Sequence, residues 1–173
     1  SAVDCEWIRV AVPDKEAVEA LAGIDSASPI PVIADIHFDH CLALGAMEKG
    51  VAGLRINPGN IGDFKKVASI IDVAKDREVV IRIGVNGGSL PIEKIKEHGG
   101  PNAQAMLATI LEYIEFFRAA DFDNLVLSLK ATDVITTIEA NRAISREVDL
   151  PLHIGLTEAG PFRQGIIRSS AAL

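Results

Sequence analysis

Apolar positions recur along this chain with two different spacings. Runs with a period of two cover residues 7–12, 32–36, 54–56, 79–85, 125–130 and 152–156. That spacing predicts strands, because successive strand side chains face opposite ways. Between these runs the period is helical over residues 14–22, 40–49, 63–75, 103–119 and 133–147, and another helix begins near Arg163. Asp14 and Asp133 stand where a side-chain oxygen caps a helix, and Gly50 stands where the second helix should end. Strict alternation of strand and helix predicts a parallel sheet covered by helices.

Parity within the strands separates greasy from polar residues. Arg55 and Asn57 share one face and Leu54 and Ile56 the other; Arg82, Gly84 and Asn86 oppose Ile81, Ile83 and Val85; Asp35 and His37 oppose Ala34 and Ile36. Arg9 opposes Ile8 and Val10, Ser128 and Lys130 oppose Leu127 and Leu129, and His153 opposes Leu152 and Ile154. An open sheet covered by helices on both sides is apolar on both faces. A barrel instead collects polar groups from successive strand ends at one mouth. The expected fold class is therefore α/β, a TIM (β/α)8-type barrel, present as a partial barrel of about six βα units.

In such a barrel Arg9, Arg55, Arg82 and Lys130, with His37 and His153, point into one cavity. Cations gathered in low dielectric repel one another by several kcal/mol unless an anion sits among them. The pattern predicts a polyanion pocket. The turns Asn57-Pro58-Gly59-Asn60-Ile61-Gly62 and Asn86-Gly87-Gly88-Ser89 each follow an arginine-bearing strand. Gly-rich turns that lead into helices present backbone N–H groups to phosphates.

Composition narrows the partners. With 173 residues, 49% of them hydrophobic, the chain can bury the core of one globular domain. No apolar run reaches bilayer length and no secretory leader is visible, so a cytoplasmic protein with no membrane partner is expected, or one of a plastid-like compartment in a photosynthetic source. A net charge of −7 argues against nucleic acid as a partner. Cys5 and Cys41 lack CxxC spacing and read as ordinary buried thiols rather than zinc ligands or a redox pair.

Several residues invite a second reading. Asp35, His37, Asp39 and His40 are metal-ligand types, but Asp35 and His37 leave a strand while His40 opens a helix, so no metal site is expected. Lys130 at a strand end would suit a Schiff-base aldolase, although diphosphate binding accounts for Lys130 together with its neighbours. His98 reads as solvated in its turn, Trp7 and Phe116-Phe117 as packing residues, and Lys94 to Glu97 as a wet helix face.

The words IRVAVP, ADIHFD, LRINPGNIG, IRIGVNGGSL, SLKATDV and HIGLTEAG occur in order from about Arg9 to the C-terminus. Together they resemble the 4-hydroxy-3-methylbut-2-enyl diphosphate synthase family. The resemblance implies a barrel that binds 2-C-methyl-D-erythritol 2,4-cyclodiphosphate and takes part in its reductive ring opening in isoprenoid biosynthesis. It implies that Arg55, Arg82 and Lys130, with Arg9, hold the diphosphate. Asn57, Asn86 and Ser89 would add hydrogen bonds, and Asp35, His37, His153 and Glu158 would line the polar wall. Glu158, Asp35 and Lys130 are the implied catalytic residues, Glu158 as proton handler.

The family's four-iron, four-sulfur cluster is held by three cysteines and a glutamate in a C-terminal domain, reduced by ferredoxin or flavodoxin, usually in a homodimer. Cys5 and Cys41 do not reproduce the Cys-Pro-x-Cys pattern. Residues 1–173 are thus expected to be the substrate-binding barrel part of such an enzyme, with no cofactor of its own and no turnover by itself. Two open sheet edges would make it poorly soluble or self-pairing. A non-catalytic structural fragment is the competing reading.

Overall fold

A computed structural model of the chain describes residues 4–173, which form two compact units. The first comprises residues 4–82 with Ala120–Asn124, the second Ile83–Ala119 with Leu125–Leu173. The first unit holds β1 (Ile8–Ala11), α1 (Lys15–Ala27), β2 (Val32–Asp35), α2 (His40–Glu48), β3 (Gly53–Ile56), α3 (Pro58–Ile61), α4 (Phe64–Asp76) and the start of β4 (Val80–Asn86). Its strands lie in sequential order β1-β2-β3-β4. The first three pair in parallel with Ala11 beside Asp35 and Asp35 beside Arg55. Sequential order without reversal is the barrel arrangement; a doubly wound sheet requires a switch point.

Parity and register together place the core of this unit. Val10, Ala34 and Leu54 are neighbours in one row, and Ala34, Leu54 and Ile56 are fully buried with Leu21, Met47, Ile70 and Ile71 from the helices. Each such large side chain contributes about 1.5–3 kcal/mol by leaving water. Helix α1 packs on α2, and α2 on α4. Asp14, Asp39 and Asp63 cap the three helices by accepting backbone N–H bonds from Ala17, Cys41 and Lys65. Gly50, with φ of 93°, closes α2 in the left-handed region that favours glycine. Gly53 is required by a close approach, since a Cβ there would lie 2.7 Å from Ile33 Cδ1 and 3.1 Å from the Val80 carbonyl oxygen.

The second unit holds the rest of β4, a 3₁₀ turn at Gly87–Ser89, α5 (Ile92–Glu97), α6 (Ala103–Ala119), β5 (Leu125–Lys130), α7 (Val134–Glu147) and α8 (Phe162–Ala172). Strand β5 neighbours β4. Ile83, Leu127 and Leu129 are buried with Met106, Ile110, Phe117 and Ile144 of α6 and α7. Helix α8 packs on α7 yet has no buried residue.

The elements depart from the sequence reading in four places. Residues 152–156 do not form a sixth strand; only Leu152 bridges to Leu127. The segment follows β5 through the Leu127 N–H to Pro151, His153 N–H to Leu127 and Thr157 N–H to Ala131 bonds, and skips the ladder between. Helix α1 runs through Gly23 to Ala27. Helix α3, of 4 residues, is too short to show a period, and α5 extends the wet helix face read at Lys94 to Glu97 back to Ile92. Trp7, 48% exposed, is not a packing residue, because β1 is the first strand of the order and is largely open to solvent. No helix among the described residues is long and apolar enough to cross a membrane.

Candidate functional site

Register brings together what parity could only align. Asp35 closes β2 directly beside Arg55 of β3, and Arg9 lies two rows lower, beside Ile33 and on the same face. Arg55 Nη1 donates to Asp35 Oδ1 at 3.2 Å, and Arg9 Nη1 lies 3.3 Å from Asp35 Oδ2. One carboxylate thus pairs with two guanidinium groups, one on each oxygen. Asp35 and Arg55 are buried, whereas the Arg9 side chain is half exposed. Arg82 is buried too. Burial first, then Arg9 and Arg55, pushes its pKa down to about 10, against a smaller upward pull from Asp35. Three cations therefore share one anion in a poorly solvated place, and the group carries an excess positive charge.

Two other implied residues, His37 and Asn57, belong to the first unit. His37 Nε2 is 3.9 Å from Asp35 Oδ1, with the ring half exposed. Asn57 is 3% exposed, and its side chain caps α3 by accepting the Gly59 N–H at 3.1 Å. The Gly-rich turn after Arg55 differs from its expected form. Gly62 ends α3 with φ of 88°, and the Asp63 carboxylate takes the N-terminal position of α4. An anion offered to α4 would meet a carboxylate already there.

The second unit carries the remaining implied residues. Asn86 ends β4, and the Ser89 hydroxyl donates to its carbonyl oxygen at 3.3 Å. Lys130 ends β5, and a Cβ built on Gly155 would lie 3.3 Å from its Nζ. The His153 side chain is exposed. Glu158 is exposed with φ of 53°, a left-handed conformation uncommon outside glycine and asparagine. Sequence reading missed Thr137 and Asn141, which are buried on α7. Their signal was two polar residues at i and i+4 on the face that also carries Ala140 and Ile144.

Cys5 and Cys41 are both exposed, contrary to the buried thiols expected. The reason is local: Cys5 precedes the open strand β1 and bonds the Trp7 carbonyl oxygen, and Cys41 lies on the first turn of α2. Nor is His98 solvated; its Nε2 is buried without a hydrogen-bond partner. Two cysteines do not fit a four-iron cluster, which draws its ligands from three or four thiolates. Among the described residues, Asp39, His40 and Cys41 bring donor atoms within 4.8 Å of one another. They are consecutive residues, and Asp39 already caps α2.

Fold and site define an α/β protein of TIM-barrel type in which three arginines gather on one buried carboxylate. The sequence model of the GcpE TIM-barrel domain matches residues 1–173, and the chain belongs to that family. It is 50% identical over 169 residues to the 4-hydroxy-3-methylbut-2-en-1-yl diphosphate synthase (flavodoxin) of Maridesulfovibrio salexigens, covering 98% of this chain and 47% of the relative. It is 49% identical over 173 residues to the protein of that name from Geobacter sulfurreducens, covering 100% and 49%. The chain spans about half the length of the curated relatives it matches. Among solved structures, Yersinia pestis dihydropteroate synthase superposes with a TM-score of 0.68 at 12% identity, over 99% of this chain and 71% of that one. The deoxyribose phosphate aldolase of Aeropyrum pernix gives 0.51 at 12%, over 96% and 82%. At such identities these two likenesses concern the fold alone.

Proposed function

We propose that this chain is the substrate-binding barrel part of a 4-hydroxy-3-methylbut-2-en-1-yl diphosphate synthase, and that Arg9, Arg55 and Arg82 hold the diphosphate of 2-C-methyl-D-erythritol 2,4-cyclodiphosphate. The observation that supports this reading best is the buried excess of positive charge around Asp35. A diphosphate supplies the negative charge that Arg82 lacks. Asp35 serves as the counter-ion that keeps Arg9 and Arg55 aimed. Two guanidinium groups face its oxygens, one on each.

When the ring C–O bond to phosphate breaks, charge grows on the diphosphate oxygen, and guanidinium groups already in place stabilise it without reorganising. His37 extends the polar wall, and Asn57 fixes the turn after Arg55. On the second unit Asn86, Ser89, Lys130 and His153 are proposed as donors to diphosphate, and Glu158 as the group that protonates a departing hydroxyl. Ring opening by reduction consumes two electrons, and no electron step is assigned to this chain because Cys5 and Cys41 do not fit a cluster. The relatives carry flavodoxin in their names. A flavodoxin or ferredoxin donor, a homodimer and a cytoplasmic setting belong to the same proposal.

Calorimetric titration of the chain with the cyclic diphosphate tests this reading, run beside Arg55→Ala and Arg9→Ala after circular dichroism has shown each to be folded. Saturable binding is expected, weakened about tenfold or more in either variant, since each loses a charge-assisted contact. Arg9→Ala carries the test if Arg55→Ala fails to fold, because Arg9 is the half-exposed member. Equal binding by parent and Arg9→Ala would remove the arginine cluster from the proposal.

A further inference from the structure

Helix α7 turns two polar side chains onto the end of β5. Thr137 is fully buried and Asn141 is 6% exposed. The Ala131 N–H donates to Thr137 Oγ1 at 3.1 Å, and the Thr137 hydroxyl has the Asp133 oxygen at 2.9 Å and the Ala131 oxygen at 3.2 Å as acceptors. Asn141 Nδ2 donates to the Leu129 oxygen at 3.0 Å and to the Thr137 oxygen at 2.8 Å. The residues on both sides of Lys130 are thereby tied by their peptide groups to α7. Parallel pairing to β4 and the bond from Thr157 cannot do this alone, because β5 ends at Lys130.

The arrangement is costly. Asn141 Oδ1 is buried with no hydrogen-bond partner, a penalty that an apolar residue packed on β5 would avoid. On the other side of the lysine stands Gly155, where a Cβ would come 3.3 Å from Nζ and 3.4 Å from Cε of Lys130. Contacts that tight oblige the ammonium to move.

We propose that Thr137 and Asn141 are positioning residues that fix the direction of Lys130, and that Gly155 keeps open the space its ammonium occupies. A lysine so held meets a phosphate without first losing rotamer freedom, which is the advantage of preorganisation. The inference rests on the reading of Lys130 as a diphosphate ligand and deepens it.

The test uses the whole chain, inorganic pyrophosphate as the probe, and four variants: Lys130→Ala, Thr137→Val, Thr137→Ser and Gly155→Ala. Three quantities are read: the calorimetric Kd, the melting temperature, and the rate at which a small acylating reagent modifies Lys130 relative to exposed Lys75, followed by mass spectrometry. Lys130→Ala should weaken pyrophosphate about tenfold. Thr137→Val and Gly155→Ala should weaken it roughly threefold and shift the Lys130-to-Lys75 rate ratio about twofold or more, whereas Thr137→Ser stays near the parent in both.

A lower melting temperature with unchanged Kd and rate ratio would overturn the positioning role and leave α7 a purely structural clamp. If Lys130→Ala binds like the parent, the ligand reading of Lys130 fails, while the rate ratio still decides whether α7 holds the side chain. Should Thr137→Val not fold, Gly155→Ala decides, since it lies outside the helices and strands and touches only the lysine head.

Discussion

Replacing Asp35 by asparagine would leave Arg9, Arg55 and Arg82 facing one another with no carboxylate among them. Removing one partner of a buried ion pair costs about 3–5 kcal/mol, so Asp35→Asn should melt well below the parent. An added anion should then recover more in the variant than in the parent. The check is thermal unfolding with and without pyrophosphate; equal shifts in the two proteins would mean that the anion does not sit on these arginines. At this scale a period of two was enough to place Asp35, Arg55 and Arg82 on polar faces. It could not supply register, and register is what sets Asp35 beside Arg55 rather than one row away. Nor could residue type foretell that Cys5 and Trp7 are exposed, because that depends on which strand lies first in the order, or that Cys41 is exposed, because that depends on which way the first turn of α2 faces.

Two elements invite direct tests. Gly53→Ala should destabilise the first unit by about 1–3 kcal/mol through overpacking, since the new methyl meets Ile33 and the Val80 carbonyl; the urea midpoint measures it, and a neutral result would show that β3 and β4 can part without cost. At the start of α7, the backbone N–H of Thr136 above all holds the Asp133 carboxyl below its ordinary 3.8. A depressed carboxyl stabilises the fold above its unfolded pKa and loses that contribution as pH falls through the lower, folded value. The deficit of Asp133→Ala should thus be present at neutral pH and fade as the pH falls below the ordinary carboxyl value of 3.8 and through the lower, folded one. An undiminished deficit in acid would mean that the cap acts through neutral hydrogen bonding. Long helices and their aspartate caps were legible from spacing. The sixth strand was not, because 152–156 has strand composition while only Leu152 bridges to β5, and pairing is a tertiary property.

Family, fold class and the arginine faces were open to sequence reading across the whole chain, because motif order and strand parity are both carried by the sequence itself. The grouping of three arginines, two of them buried, around a single carboxylate was not, and it bears on how fast an anion arrives as well as how tightly it stays. The cluster holds three guanidinium groups against one carboxylate, two charges positive, within a chain of net charge −7, so the rest of the molecule carries nine excess negative charges. At a distance a diphosphate meets a repelling body; only within about 10 Å, the Debye length at moderate salt, does the cluster dominate. Added salt screens the outer repulsion and weakens the inner attraction. In stopped-flow measurements with a fluorescent diphosphate analogue, the association rate should hold steady or rise with ionic strength while the dissociation rate rises more steeply. A steep fall in the association rate would instead mark a surface that steers anions inward from afar.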